Sequence, residues 1–234
     1  MLFPAIKRWC CRLQPQHLQL WRNGELHDQC RWQPQQPLAA QLTPLFASLP
    51  PAPAWRDSLE FVVDTPHVNY LLVPWSAGIT RPAELRQYAA LLLAQQQDEA
   101  QPMAVSFMRS GYGDNAFAAL LPQALLAELK QTAAAQRLRL VGCCTPFSGM
   151  LAGFGRQLPE NALFACAGTP QSSFACRYQR QWHSVFTLHL PHSELAQQLD
   201  TANRLAGLPP LARFVMHNQP QTPPGMPAVR EATP

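Results

Sequence analysis

The sequence predicts a mixed α/β protein of two related but unequal halves, and three observations point there. Of its 234 residues 47% are apolar, enough to fill a sizeable core. Runs of β-branched and aromatic residues, punctuated by turn signals, give way to helical periodicity, and that order of hairpin then helix occurs twice. Between the two occurrences, residues 149–159 hold three glycines and few strand formers, the best place for a boundary. Residues 1–150 are read as the first half, 151–217 as a shortened second half and 218–234 as a tail.

Residues 12–32 read as two strands joined at Asn23-Gly24, a dipeptide that accepts positive φ at both turn positions. A helix follows from Pro37, with Leu38, Leu42, Leu45 and Leu49 at helical spacing, and the proline-rich run 50–53 ends it. Residues 59–64 and 68–73 are β-rich runs about a turn at Pro66 and read as a second hairpin. Thr80 is a good N-cap for the next helix, which has Pro82 near its first position and Leu85, Tyr88, Ala89 and Leu92 on one face.

Residues 103–108 and 116–121 flank the turn-rich Ser110-Gly111-Tyr112-Gly113-Asp114-Asn115 and read as a third hairpin. The Ala- and Leu-rich stretch 123–135 is a helix, and 138–143 a buried strand that completes the first half. In the second half 163–167, 174–178 and 184–190 are strands, the last two turning at 179–181. Ser193 caps a helix over 194–206, Gly207 stops it, and 214–216 is a final strand. The tail, with five prolines from Pro220 to Pro234, cannot pack a core and reads as disordered.

Composition narrows the function. Eighteen Lys and Arg against fourteen Asp and Glu leave a net charge of +4 with no like-signed block, so nucleic acid is not indicated as a partner. Lys7 and Arg8 are followed by only a few apolar residues before Arg12, which is no signal peptide, and no stretch approaches the ~20 apolar residues of a membrane span. Seven cysteines, with vicinal pairs at Cys10-Cys11 and Cys143-Cys144, argue for buried reduced thiols in a cytoplasmic protein rather than a disulfide framework.

Four places in the sequence are candidates for chemistry. His183, His189 and His192 are close in sequence, but His183 and His189 on one strand face stand roughly 20 Å apart, too far to share an ion. Cys143 and Cys144 point to opposite faces with no basic run to activate them. Phe147-Ser148-Gly149 lacks the first glycine of a nucleophile elbow, and the turn at Ser110-Gly111-Tyr112-Gly113-Asp114 lacks the lysine of a phosphate loop. The chain is therefore read as a non-enzyme, with no cofactor and no metal, that works by binding proteins. Trp75, closing a strand as Val73-Pro74-Trp75, needs covering by the fold or by a partner.

The run LEFVVDTPHVNYLLVPW over 59–75, followed by the helix from Pro82 to Gln95, resembles the hairpin-then-helix of actin-like assembly scaffolds. These are the PilM-like proteins of type IV pilus machines and the cytoplasmic part of GspL-like type II secretion proteins. The order of elements over 10–216 is similar too, including 133–146, which resembles the helix exit and strand leading into that family's second domain. The resemblance implies an actin-like pair of ribonuclease H-like domains, the second truncated. Nucleotide-binding members carry Asp-x-Gly on the first hairpin of each domain to hold metal-bound phosphate. The corresponding positions lie near Arg12-Leu13-Gln14 and Cys166-Ala167-Gly168, and both aspartates are missing. An arginine facing a divalent cation reverses the local sign. If the correspondence shifts, the nearest acids are Glu25 and Asp28, which flank or follow the Asn-Gly turn.

What the resemblance implies is a pseudo-ATPase scaffold, cytoplasmic and peripheral to the inner membrane, whose partner is the cytoplasmic segment of an inner-membrane assembly protein or a motor component. Rival readings are an actin-like ATPase with displaced ligands and a small adaptor unrelated to pili. The expected working surface is on the first half, where Tyr70, Trp75, Arg81, Arg86 and Tyr88 cluster in sequence, because interfaces concentrate their energy in Trp, Tyr and Arg. An extended peptide could add to a sheet edge there or lie between sheet and helix. The alternative is that Tyr70 and Trp75 are core residues.

Overall fold

The computed structural model describes residues 8–33, 35–49, 57–79, 81–96, 101–108, 113–155, 157–168, 170–191, 193–217 and 230–231. Thr80, the turn residues 110–112, the proline run 50–53, His192 and most of the tail lie outside these, and with them the expectations attached to them.

The chain begins with β1 (Arg8–Leu13), β2 (His17–Arg22) and β3 (Glu25–Arg31), an antiparallel meander. The Asn23-Gly24 turn joins β2 to β3 with φ of 49° and 89°. The expectation of one continuous strand up to that turn is corrected. Pro15 has no N–H to give a ladder, so the chain reverses at 14–16, where the Gln14 N–H donates to the His17 carbonyl at 2.9 Å. Next comes α1 (Leu38–Ala47), which buries Leu38, Leu42, Leu45 and Phe46.

The first half continues with β4 (Ser58–Val63), β5 (Asn69–Val73), α2 (Pro82–Gln96), β6 (Met103–Phe107), β7 (Ala116–Pro122), α3 (Gln123–Ala135) and β8 (Arg139–Cys144). The expected β4–β5 hairpin does not form. β4 runs parallel to β1 on one side and to β8 on the other, so no edge is left for β5. The first sheet is ordered β3-β2-β1-β4-β8, while β5 joins a separate three-stranded antiparallel sheet, β5-β7-β6. Its β6–β7 hairpin matches the expectation.

At the expected boundary stands a helix, α4 (Pro146–Gly153). Its glycines are outweighed by a capping box, in which Ser148 N–H donates to Thr145 Oγ1 at 3.2 Å and Thr145 N–H to Ser148 Oγ at 2.8 Å, with Pro146 preset for the first turn. Then follow β9 (Ala162–Ala167), β10 (Gln171–Tyr178), β11 (Gln181–His189), α5 (Leu195–Ala206), β12 (Ala212–His217) and β13 (Arg230–Glu231). Ser193 does not cap α5. Glu194 takes that place without a side-chain bond, and the Ser193 carbonyl accepts from Gln198 Nε2 at 2.9 Å. Gly207 ends the helix at φ 65°. These strands form a sheet ordered β11-β10-β9-β12-β13, so two residues of the expected disordered tail pair with β12.

Each sheet buries one face under its own helices. In the first, Trp9, Cys11, Leu13, Leu59 and Phe61 meet Leu42 and Phe46 of α1 and Leu129 and Ala133 of α3. In the second, Leu163, Ala165, Phe174 and Val215 meet Leu199 and Ala202 of α5. Under α2, Leu71, Val73, Ala118 and Leu120 pack on Ala89 and Leu93. A seam of rings joins these parts. Tyr70 and Phe117 of the small sheet contact Phe147 of α4 at 5.0 and 5.5 Å, Phe117 contacts Trp182 of β11 at 5.1 Å, and Trp182 contacts Phe164 of β9 at 5.7 Å.

Candidate functional site

β1 and β9 are the first strands of the two five-stranded sheets, and Arg12 and Cys166 are each the penultimate residue of their strand. Both point into the region where the halves meet. Arg12 is 4% exposed, Cys166 4%, and Asp64, the residue after β4, 2%. Asp64 is drawn there because its N–H donates to the Leu13 carbonyl at 3.0 Å, extending the β1–β4 ladder by one bond. One carboxylate oxygen, Oδ1, accepts from the Thr65 N–H at 2.8 Å and from the Thr65 hydroxyl at 3.3 Å. The other, Oδ2, is buried without a hydrogen bond.

Burial dominates the titration of this group. It pushes the Asp64 carboxyl up to about 6, with the Arg12 guanidinium and the Thr65 bonds pulling the other way. Burial also lowers the Arg12 guanidinium, which Asp64 counters. The Cys166 thiol is raised well above its ordinary range by burial, with Asp64 adding to the effect and Arg12 opposing it. Tyr70 belongs to the same cluster. Its hydroxyl is raised by burial and then by Cys166 and Asp64, and a hydrogen bond with Thr145 opposes the shift. Gly168 keeps its role without a phosphate, because a Cβ there would meet the Gln171 carbonyl at 2.7 Å in the β9–β10 turn.

Arg12 and Asp64 thus offset each other's charge inside the protein, and a guanidinium in this place repels a divalent cation. Glu25 stands on exposed β3, so the nearby acid is Asp64, which sequence reasoning passed over. The signal was an acid closing the apolar run Phe61-Val62-Val63. The cysteines are free thiols. Burial and then Glu60 push Cys10 up to about 12 and Cys143 up to about 11, which keeps both protonated. Ser148, weighed as a nucleophile, serves the α4 cap.

The five surface candidates separate. Tyr70 lies in the ring seam. Trp75 is 42% exposed, beyond the end of β5, with its N–H donating to Asn115 Oδ1 at 3.1 Å. Asn115 in turn donates to the Trp182 carbonyl at 2.9 Å. Arg81 and Arg86 come together in the lining of a groove of roughly 450 Å³ between the start of α2 and β6. Arg81 approaches Glu84 at 4.0 Å, and Arg86 has no ion-pair partner among the described residues. Tyr88 is half-buried against the core beneath α2. Among the described residues no helix is long and apolar enough to cross a membrane.

No family model matches the chain, and no curated protein sequence matches it. Solved structures do. A Bacteroides thetaiotaomicron VPI-5482 protein with actin-like ATPase fold and unknown function aligns at a TM-score of 0.58 and 10% identity, over 88% of this chain and 79% of that one. The cytoplasmic domain of EpsL, an inner-membrane component of the type II secretion system of Vibrio cholerae, aligns at 0.54 and 12%, over 92% and 83%. A PilM-PilN type IV pilus biogenesis complex aligns at 0.54 and 12%, over 92% and 82%. These likenesses establish the actin-like ATPase fold expected from the sequence, and at such identity they establish the fold alone.

Proposed function

We propose that this chain is a non-catalytic, actin-like scaffold of the PilM-like or GspL-like kind, peripheral to the inner membrane on its cytoplasmic side. In this reading it docks on the membrane or motor components of a pilus or secretion assembly. The observation that supports the reading is the pair at the head of the two sheets. Where a nucleotide-binding relative needs two carboxylates facing a metal, this chain has Arg12 and Cys166, and the carboxyl of Asp64 is buried beside Arg12. A fold whose cleft chemistry is replaced acts through contacts. We take 1–150 and 151–217 as its two halves, and the groove bearing Arg81 and Arg86, with Trp75 and Tyr88 nearby, as its protein-binding surface. The protein partner is the cytoplasmic segment of an inner-membrane assembly protein. The settings named for two of the structural neighbours, an inner-membrane secretion component and a pilus biogenesis complex, favour this partner class.

Two measurements test it. Calorimetric titration with Mg-ATP should show no binding, and a dissociation constant of roughly micromolar or tighter, about −8 kcal/mol, would refute the reading. Co-purification from native cells should recover an inner-membrane assembly protein. Arg86→Ala should weaken that capture at unchanged melting temperature, whereas Tyr70→Ala should lose capture only in proportion to folded protein.

A further inference from the structure

Edge strands invite unwanted pairing, and folds blunt them with bulges, charges or proline. This protein does so with unusual consistency. In β3 the register passes from Leu20↔Asp28 to Trp21↔Leu26, leaving His27 as a bulge. In β8 it passes from Leu59↔Leu140 to Glu60↔Gly142, leaving Val141 as a bulge. In β11 it passes from Cys176↔Ser184 to Arg177↔Trp182, leaving His183 as a bulge. The outer edge of β12 carries β13, and β5 lies against β11. Among the described residues, β6 is the exception. It is the outer strand of its sheet, its sequence MAVSF has no charge and no proline, and its register against β7 is unbroken.

The open edge has a defined hydrogen-bonding face. The Met108 N–H donates to the Phe117 carbonyl at 2.7 Å, and the Gln123 N–H donates to the Pro102 carbonyl at 2.9 Å. Antiparallel ladders alternate, so the even-numbered residues of β6 turn their backbone groups toward β7, and Met103, Val105 and Phe107 turn theirs outward. Both faces beside this edge are hollow. Toward α2 lies the groove of roughly 450 Å³, lined by Ile79, Pro82 and Leu85 together with Arg81 and Arg86. Toward α4 lies a second hollow of roughly 400 Å³ lined by Met108, Leu151, Ala152 and Leu158, and Phe107 borders both.

From this juxtaposition we infer that β6 is a strand acceptor, and that its occupant is an extended, proline-free segment of a partner protein with apolar residues at alternate positions and an Asp or Glu that meets Arg86. The inference rests on the scaffold reading and names how the partner is held. Ladder bonds to Val105 and Phe107 give affinity. Successive side chains of the added strand point to opposite faces, so its alternate apolar residues enter the hollow toward α4 while the acid, on the other face, meets Arg86 in the groove toward α2, which gives specificity. Arg86 supplies the positive end of a charge pair, which sets the register and favours acidic segments over basic ones.

Random-peptide display against the immobilised full chain tests this directly. The enriched peptides should alternate apolar residues and include an acid. Their binding should fall at least about tenfold in Val105→Pro, which deletes an outward N–H without touching the bonds to β7, and by a similar factor in Arg86→Glu, which leaves the strand intact. Thermal melting of each variant separates lost binding from lost fold, and Arg86→Glu keeps the test decisive if the proline variant unfolds. Enriched sequences that are basic or helical, or that bind a folded Val105→Pro unchanged, overturn the inference. So does a dimer of the unmutated protein that Val105→Pro converts to monomer, since the edge then belongs to a second copy. If a native partner is captured equally well by a folded Val105→Pro, the strand mode falls and the scaffold stands. Binding of Mg-ATP, by contrast, removes the scaffold reading whatever the peptides do.

Discussion

The two five-stranded sheets share a frame and differ in how it is closed. Each is an antiparallel meander with a bulge in its third strand, followed by a helix and then by a fourth strand parallel to the first. Beside β4, the fifth place is filled by β8, parallel and paired from Ser58↔Arg139 to Val62↔Cys144. Beside β12, the same place holds, among the described residues, the two antiparallel residues of β13. The second sheet makes up the deficit from outside itself. The face of Phe164 and Trp182 is covered by Phe147 and Met150 of α4 and by Phe117 of the small sheet. The second sheet thus completes its core with side chains from α4 and the small sheet.

The largest effect that could break this comparison comes from Phe164→Ala. It should destabilise the protein by about 3–5 kcal/mol, with one cooperative transition in chemical denaturation followed by both tryptophan fluorescence and circular dichroism. Two separated transitions would mean that the second half stands by itself. A smaller, pH-dependent effect belongs to Asp64. Its folded value of about 6 lies above the ordinary 3.8, so on raising the pH the unfolded chain gives up its proton first. Stability contributed at this site is full below about pH 4 and is lost as the pH rises toward 6. By about 1.4 kcal/mol per pH unit, the loss is on the order of 2–3 kcal/mol. Asp64→Asn should flatten the slope of melting temperature against pH in that window, and an unchanged slope would place the titration elsewhere. The smallest effect is expected from deleting 218–234. If β13 is only a placeholder, the unfolding free energy from urea titration should fall by less than about 1 kcal/mol, and a larger loss would make the two fifth places more alike than they look.

Much of this frame was legible because it is written locally. Asn23-Gly24 and Gly207 mark positions that need positive φ, the helices over 38–47 and 82–96 follow from apolar spacing, and that over 123–135 from its Ala- and Leu-rich composition. What was misread is non-local. Residues 59–64 and 68–73 look like partners because a short turn joins them, and nothing within either run says that β4 is claimed on both sides by β1 and β8. α4 was hidden because Gly149 and Gly153 were weighed as punctuation while the reciprocal Thr145 and Ser148 cap was not. At the site, Arg12 and Cys166 were reached through the resemblance to actin-like scaffolds, which marks the first hairpin of each half. Asp64 and Tyr70 come together with them only through the meeting of separate sheets.

One further consequence follows from where the small sheet is inserted. β5, α2, β6, β7 and α3 all lie between β4 and β8, so the second edge of β4 stays bare until residue 144 has been made. A ribosome adding about 5–20 residues per second leaves that parallel edge waiting for several seconds on the nascent chain. The hairpin of β6 and β7 closes over a short span and can form meanwhile, whereas the central ladder depends on contacts distant in sequence. Arrest of synthesis before residue 139 should leave a protease-sensitive, chaperone-bound chain, and arrest beyond the exit of residue 144 a resistant one. The order of manufacture is thus set by a topological detour, with the first sheet begun early and finished late.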